Sequence, residues 1–388
     1  MRHEPGVAVT VSLFSIAFRP FFLGAAWLSL AWIGVWVALL VRGAGTTAPV
    51  PPMIWHGHEM LFGFTMAVIA GFVLTAAQNW TGRQSVTPRE LTLLVGVWLA
   101  ARVGFLMPWL VPFWLVSLVD LAFLPLLAFF VARTLVPARN IRNYMFIPLF
   151  GAFAVLNGVI HLDIHGVLPG AAMPALDVAI LLVTVLLVFM GGRVIPFFTE
   201  RWLPDSHPRQ WPALNWCATL AVLLLVPMYL LGGRDPMLAP LLFAAAAFLL
   251  ARWVAWRPWQ TWRTPLLWIL HLGYLWIPVG LVLLGASLSG ASIGWSAGLH
   301  ALMVGAMGSL CIGMMARVSL GHTGRPLVAP RLAVAGFALI TLAALARLGV
   351  AFSVGLPWLA AASGLGWALA YLCFAVAYTP LLVRPRTT

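Results

Sequence analysis

The sequence contains no lysine, and charged residues of either sign make up only 8% of its 388 residues. A soluble domain carries about 25% charged residues, so this scarcity excludes a large soluble domain. The three cysteines, Cys217, Cys311 and Cys373, lie far apart and form no C-x-x-C pair, which argues against a disulfide framework or a zinc site. The apolar segments also lack the polar–apolar alternation of a membrane β-barrel.

Long apolar segments are abundant, and 63% of the residues are hydrophobic. Runs of about 20 apolar residues are typical of membrane-spanning helices. The pattern therefore predicts an all-α polytopic membrane protein with about twelve transmembrane helices, in which residues 1–388 form a single integral membrane domain. The expected spans are roughly 21–41, 58–78, 90–106, 112–135, 143–162, 173–195, 213–231, 237–256, 265–286, 296–316, 332–351 and 357–383.

The arginines test this count, because loops on the cytoplasmic side of a membrane are enriched in basic residues. With a cytoplasmic N-terminus, 18 of the 22 arginines fall on the inner side. The other four are Arg42, Arg102, Arg234 and Arg347. This imbalance predicts that both termini are cytoplasmic. It also explains the net charge of +13 as membrane orientation rather than nucleic-acid binding.

Two segments far apart in the chain repeat one another. Eight identities occur at a constant offset of 242 residues, and the first is the pair His58 and His300. The others pair Gly63 with Gly305, Gly71 with Gly313, Thr81 with Thr323, Gly82 with Gly324, Arg83 with Arg325, Pro88 with Pro330 and Arg89 with Arg331. The repeat predicts two equivalent helices that each carry a histidine near the outer face.

Five of the nine histidines are predicted at the outer face: His56, His58, His161, His165 and His300. A single histidine at a helix end more often caps the helix or hydrogen-bonds a carbonyl at the membrane interface than binds a metal. Metal ligation is the more specific explanation for the group, because polar groups inside a membrane need a partner. His271, about a third of the way into the ninth span from the inner side, is an outlying candidate.

Opposed imidazoles from His58 and His300 could hold a haem between the two equivalent helices. His56 lies two residues before His58, so on a regular helix it points the other way and serves a different centre. If His56 instead precedes the first helical turn, both side chains can reach one metal. His161 could join His56 at a second metal, so the candidate metal ligands are His56, His58, His161 and His300.

Two carboxylates accompany these histidines. Glu59 is either a proton donor that also orients a ligand, or a favourable charge in the first helical turn. Asp120 is predicted inside the membrane, where it is structural, proton-carrying or both. Methionines of the tenth span could ligate copper, although packing is the commoner role of such a stripe. They are Met303, Met307, Met314 and Met315.

Five stretches, spread over nearly the whole chain, resemble the NnrS family of bacterial membrane proteins. They are Phe18-Arg19-Pro20-Phe21-Phe22-Leu23-Gly24, the segment 55–64 from Trp55-His56-Gly57-His58-Glu59, Asn79-Trp80-Thr81-Gly82-Arg83, Gly192-Arg193-Val194-Ile195-Pro196-Phe197-Phe198-Thr199, and the segment 317–325. The resemblance implies haem, copper and a role in the response to nitric oxide during denitrification and nitrosative stress. It also implies the cytoplasmic membrane of a bacterium.

The leading hypothesis is a membrane protein that binds nitric oxide and reduces it to N2O, as a nitric oxide reductase does. On this hypothesis His58 and His300 hold a relay haem b, with one or two haems in all. His56 and His161 form the reactive centre with copper or non-haem iron, and Glu59 serves protons. The expected partners are nitric oxide, membrane lipid and an electron donor, either a quinol or a periplasmic cytochrome or cupredoxin.

Two other functions are compatible with the sequence: a haem or copper protein that stores, delivers or senses, and a secondary transporter, whose polar sites more commonly lie at the midplane. Haem–copper oxidases offer an analogy in layout, because their second and tenth helices carry histidines near the outer face. The adjacent His-His pair and the His-Pro-Glu helix of their copper site are absent here.

Overall fold

A computed structural model describes residues 12–42, 50–352 and 358–386, and these contain helices and no strand. Twelve long helices, numbered here in chain order, account for most of the described chain. They are α1 Phe18–Arg42, α2 Pro52–Thr81, α3 Pro88–Leu106, α4 Phe113–Leu135, α5 Phe146–Ile164, α6 Ala172–Trp202, α7 Pro212–Gly232, α8 Ala239–Ala255, α9 Pro265–Leu288, α10 Trp295–His322, α11 Arg331–Phe352 and α12 Trp358–Val383.

Eleven of these helices are long and apolar enough to cross a membrane, which confirms the all-α polytopic membrane fold. The exception is α3, which corresponds to the expected span 90–106. It is 19 residues long and carries three charged residues, Arg89, Glu90 and Arg102. Glu90 belongs to the first turn of α3, where its side chain and that of Thr87 form a reciprocal capping box. Arg102, in contrast, is buried.

Proline positions set several helix starts. Proline occupies the first turn of α2, α3, α7 and α9, where its missing N–H leaves no helical hydrogen bond unmade. The second span was expected to begin at residue 58, but α2 begins six residues earlier, at Pro52. His56 and His58 therefore both lie inside the helix. The alternative in which His56 precedes the first turn is wrong.

The 242-residue repeat has a structural counterpart. Directly after His58 the backbone of α2 becomes a π-helix over Glu59–Thr65, and directly after His300 that of α10 does so over Ala301–Gly308. Beyond each helix, the repeated glycine adopts left-handed backbone geometry, with φ of 67° at Gly82 and 76° at Gly324. π-helical turns are rare and frequently occur at functional sites, so their recurrence after both histidines makes His58 and His300 candidate functional residues.

Gly63 and Gly305, one repeated pair, each lie against a tryptophan of the preceding helix. A Cβ atom at Gly63 would lie 3.1 Å from Arg102 NH1 of α3 and 3.2 Å from the Trp32 ring of α1, and one at Gly305 would lie 2.5 Å from the Trp276 ring of α9. Small residues allow helices to approach closely in membranes, where dispersion contacts replace the hydrophobic effect as the driving force. The repeat thus preserves a glycine-on-tryptophan helix contact.

We expect Gly305→Ala to lower the stability of the protein by about 1–3 kcal/mol, because the new methyl group would overlap the Trp276 ring. Thermal unfolding in detergent micelles measures the effect. Gly96→Ala in α3 is the matched control, since no atom lies within 4 Å of its new Cβ, and it should be neutral or slightly stabilising. Equal melting temperatures for the two variants would contradict the close contact.

The chain divides into two compact units. The first contains the described residues within 1–176, 319–326 and 375–388, and in it α1 packs on α2, while α4 packs on α2, α3 and α5. Buried Arg19 donates to the carbonyls of Leu382 and Arg384, where a cation suits the helix C-terminus. The second unit contains Asp177–Val318 and Leu327–Phe374, and in it α8 packs on α7 and α9, and α10 packs on α9 and α11.

Candidate metal and proton site

Four helices of the first unit place polar side chains in one buried cluster, hereafter the polar cluster. It consists of His58 and Glu59 from α2, Arg102 from α3, Asp120 from α4, and Asn157 and His161 from α5. All six side chains are buried, none more than 4% exposed. Burial of charged and polar groups is costly unless each is paired, so the contacts inside the cluster decide whether it is stable.

Asp120 is the centre of the polar cluster. Its Oδ2 atom lies 3.2 Å from His58 Nε2 and 3.0 Å from His161 Nε2, and it accepts a 2.8 Å hydrogen bond from Asn157 Nδ2. Its Oδ1 atom accepts from the Arg102 guanidinium. The imidazoles of His58 and His161 lie edge to face, 5.5 Å apart. The Asp120 carboxylate of α4 thus contacts side chains of α2, α3 and α5.

Arg102 also joins Asp120 to Glu59. Its NH1 group donates to Glu59 Oε1 over 2.6 Å, and the same oxygen lies 3.1 Å from His58 Nδ1. Two carboxylates share one guanidinium, so one negative charge is left for a further cation. An imidazolium or a metal ion could supply that positive charge.

Aromatic rings enclose the polar cluster. The His58 ring stacks between Phe105, with ring centroids 4.5 Å apart, and Phe62, 5.1 Å away. Phe105 and Phe113 also contact the His161 ring. An apolar wall lowers the local dielectric, which strengthens each electrostatic interaction inside it.

Three buried polar atoms of the polar cluster have no hydrogen-bond partner among the described residues: Glu59 Oε2, His161 Nδ1 and Arg102 Nε. Native proteins pair most such atoms, so each unpaired one calls for an explanation. A ligand, an ion or a transferred proton would provide it. The polar cluster therefore has the features of a binding or proton-transfer site, in addition to linking the four helices by hydrogen bonds.

His300 lies in the second unit, where its tautomer is fixed by the backbone. Its Nδ1–H donates to the Ser296 carbonyl over 2.7 Å, and the Ser296 hydroxyl accepts from Arg347 over 3.0 Å. A histidine that donates from Nδ1 to a carbonyl carries its lone pair on Nε2, as metal-ligating histidines commonly do. This tautomer makes Nε2 the nitrogen with which His300 could bind a metal.

His58 differs from His300 in this respect. Its Nε2 atom lies 2.9 Å from Asn157 Oδ1 and 3.2 Å from Asp120 Oδ2. A porphyrin ring bound at Nε2 would have to occupy the space that these two side chains fill. The surroundings of His58 fit a metal ion better than a haem, and the bis-histidine haem of His58 and His300 stays a prediction.

The other predicted residues lie elsewhere. His56 points away from His58 and stacks on Trp36 of α1, with ring centroids 4.3 Å apart. His271 lies in the second unit, where its Nε2–H donates to Thr199 Oγ1 over 2.9 Å. His165 contacts Ser117 in the first unit. The structure thus brings His161 to His58 and Glu59.

Two members of the polar cluster, Arg102 and Asn157, were missed by the sequence analysis, and Asp120 was not connected to the histidines. Arg102 had been counted among the outer-side arginines. A lone arginine within an apolar span was the available signal, because such a charge needs a carboxylate partner inside the membrane. Nothing comparable distinguishes Asn157.

A protein-family model described as "NnrS protein" matches residues 12–386, nearly the whole chain. No curated protein matches the chain.

Proposed function

The chain belongs to the NnrS family, whose members are membrane proteins of the nitric oxide response, and from this premise we propose that it binds and reduces nitric oxide at buried metal centres. Two NO molecules, two electrons and two protons would give one N2O and one water. The electrons would come from a quinol or a periplasmic cytochrome or cupredoxin. The proposed location is the cytoplasmic membrane of a bacterium.

The polar cluster is the observation that carries this proposal. Nitric oxide is small, neutral and soluble in lipid, so it can reach a site walled by Phe62, Phe105 and Phe113 without a polar channel. Its reduction consumes protons, and Glu59 and Asp120 are buried carboxylates in contact with imidazoles. The aromatic wall and the buried carboxylates of the polar cluster therefore suit a small, neutral substrate whose reduction consumes protons.

The metals would pass electrons from the donor to nitric oxide and provide the position at which it binds. We propose that His300 holds a haem iron, in line with its backbone-fixed tautomer, and that the polar cluster holds a second metal. The protein would orient these groups and keep bulk water away. Arg102 and Asn157 would hold Asp120 in place by hydrogen bonds, while Glu59 would bring in protons.

Anaerobic turnover tests the proposal. Purified protein in detergent, supplied with reduced donor, should consume nitric oxide at an electrode and release N2O detected by gas chromatography. Protein that retains its metals but shows no turnover would contradict catalysis and support a storage, delivery or sensing role. Protein without haem or other metals would exclude all of these roles.

We expect His300→Ala to abolish most of the haem absorption of the purified protein, because the variant lacks the proposed axial ligand. The pyridine haemochrome assay measures the haem content per chain. His207→Asn is the control, since His207 is exposed in a loop and should be replaceable without loss of haem. Equal haem content in the two variants would exclude His300 as a ligand.

A further inference from the structure

We propose that His58 Nε2, Asp120 Oδ2 and His161 Nε2 together bind one non-haem ferrous iron ion. This inference rests on the proposed function and gives the second metal a ligand set and a chemical class. The three residues come from three different helices, α2, α4 and α5, and all are buried.

The distances between the donor atoms support one shared ion. Asp120 Oδ2 lies 3.2 Å from His58 Nε2 and 3.0 Å from His161 Nε2, and all three atoms lie within 4.8 Å of one another. A metal about 2.1 Å from two ligands at right angles places those ligands about 3.0 Å apart. Each histidine Nε2 atom therefore already lies at the distance from Asp120 Oδ2 that neighbouring ligands of one ion have.

The residues around the donor atoms are those expected around a metal site. Glu59 Oε1 lies 3.1 Å from His58 Nδ1, so it can accept that N–H and leave Nε2 unprotonated. This carboxylate–histidine pairing fixes the orientation of ligating imidazoles in many metal sites. Arg102 donates to Glu59 and to the second oxygen of Asp120, and Asn157 Nδ2 donates to the ligand oxygen itself. Asn157 Oδ1 lies 2.9 Å from His58 Nε2, so an ion bound at Nε2 would also have this amide oxygen beside it.

Charge and ligand type select the metal. With neutral imidazoles the polar cluster has two carboxylates against one guanidinium, a formal charge of −1 that attracts a cation, and a divalent ion would change it to +1. Two imidazoles and one carboxylate with further positions open are the ligand set of non-haem iron(II) enzymes. No cysteine or methionine takes part in the described contacts of the cluster, so copper(I), which prefers sulfur, is disfavoured.

Iron binding by the full-length protein in detergent tests the inference. Protein treated with chelator would be given excess ferrous iron without oxygen, desalted and analysed for total iron, with haem iron subtracted by the haemochrome assay. Nitric oxide then serves as a spectroscopic probe, because non-haem ferrous iron gives a high-spin nitrosyl EPR signal distinct from that of haem. The wild-type protein should retain about one non-haem iron per chain and show this signal.

Asp120→Asn and His161→Ala should each lower the iron affinity at least tenfold and remove the EPR signal. Asp177→Asn is the matched control: Asp177 is also a buried carboxylate, but it accepts hydrogen bonds from Tyr229, Arg234 and Trp295 in the second unit. If Asp120→Asn folds poorly, Asp120→Glu provides a second test, because it keeps a carboxylate and should retain part of the iron binding.

Three outcomes would overturn the inference: equal non-haem iron in Asp120→Asn and the control, retention of copper or zinc in preference to iron, or no metal bound outside haem. Nitric oxide turnover without non-haem iron would refute this site and leave the proposed function intact. If the wild-type protein binds non-haem iron but shows no turnover, and both ligand variants lose this iron, the site is supported and the proposed function is refuted.

Discussion

Replacing Arg102 by methionine is expected to destabilise the metal-free protein by about 3–5 kcal/mol, the largest stability effect that we expect from a single substitution in this chain. Arg102 is 1% exposed and holds Glu59 and Asp120, both buried. Its removal leaves two carboxylates close together in an apolar environment. Removal of one partner from a buried ion pair costs far more than loss of an exposed pair. Thermal unfolding of chelator-treated protein in detergent measures the effect.

Arg133→Met provides the control for this prediction. Arg133 also binds a carboxylate, Glu90, over 2.5 Å, but the two side chains are 40% and 27% exposed. Solvent screens such a pair, so its loss should cost less than about 1 kcal/mol. If both methionine variants unfold at the same temperature, the contacts of Arg102 in the polar cluster do not stabilise the first unit.

The fold could be predicted from the sequence because its signals are local. The length and apolarity of each helix are visible in a window of about 20 residues, and the prolines at helix starts are visible one by one. The repeat was also visible, since His58 and His300 stand at a constant offset. The two π-helices were not predicted, because they add no distinctive residue type beyond the repeated glycines.

The polar cluster could be predicted only in part, because it depends on contacts between distant segments. His58 and Glu59 are adjacent in sequence, but Asp120 and His161 reach them only after α4 and α5 have packed. A single sequence does not specify which face of an apolar helix turns inward when nearly all its residues are apolar. The physical rule predicts that buried Arg102 has a carboxylate partner but does not say which one, and the structure pairs it with Glu59 of α2 and Asp120 of α4.

The start of α2 decides between the two arrangements of His56 and His58 that the sequence leaves open. The apolar run begins at the histidine segment, which places the expected start of the span at residue 58. Pro52 instead provides the first helical turn, and residues 56 and 58 then point to nearly opposite sides of α2. His56 meets Trp36 and His58 meets the polar cluster. A helix start displaced by six residues thus decides which histidine belongs to the site.

Glu59→Gln is expected to slow nitric oxide reduction about 100-fold, within the range of proton-transfer contributions to catalysis. Glutamine has the size of glutamate, and its amide oxygen can still accept from Arg102 NH1 or His58 Nδ1–H. The amide cannot take up and release a proton, however, and within the polar cluster Glu59 Oε2 is the carboxylate oxygen without a hydrogen-bond partner, on which a proton would reside. The comparison uses initial rates of anaerobic NO consumption after loading with excess ferrous iron.

Measuring the metal content of the Glu59→Gln variant shows whether a lower rate comes from lost proton delivery or from lost metal. The variant should keep its haem and, in excess iron, its non-haem iron, so that only the rate falls. Glu90→Gln tests whether any loss of a carboxylate has this effect, because Glu90 is partly exposed and paired with Arg133. Its turnover should match that of the wild-type protein. A Glu59→Gln protein with full metal content and an unchanged rate would show that protons reach the site by another route, of which the nearest candidate is Asp120.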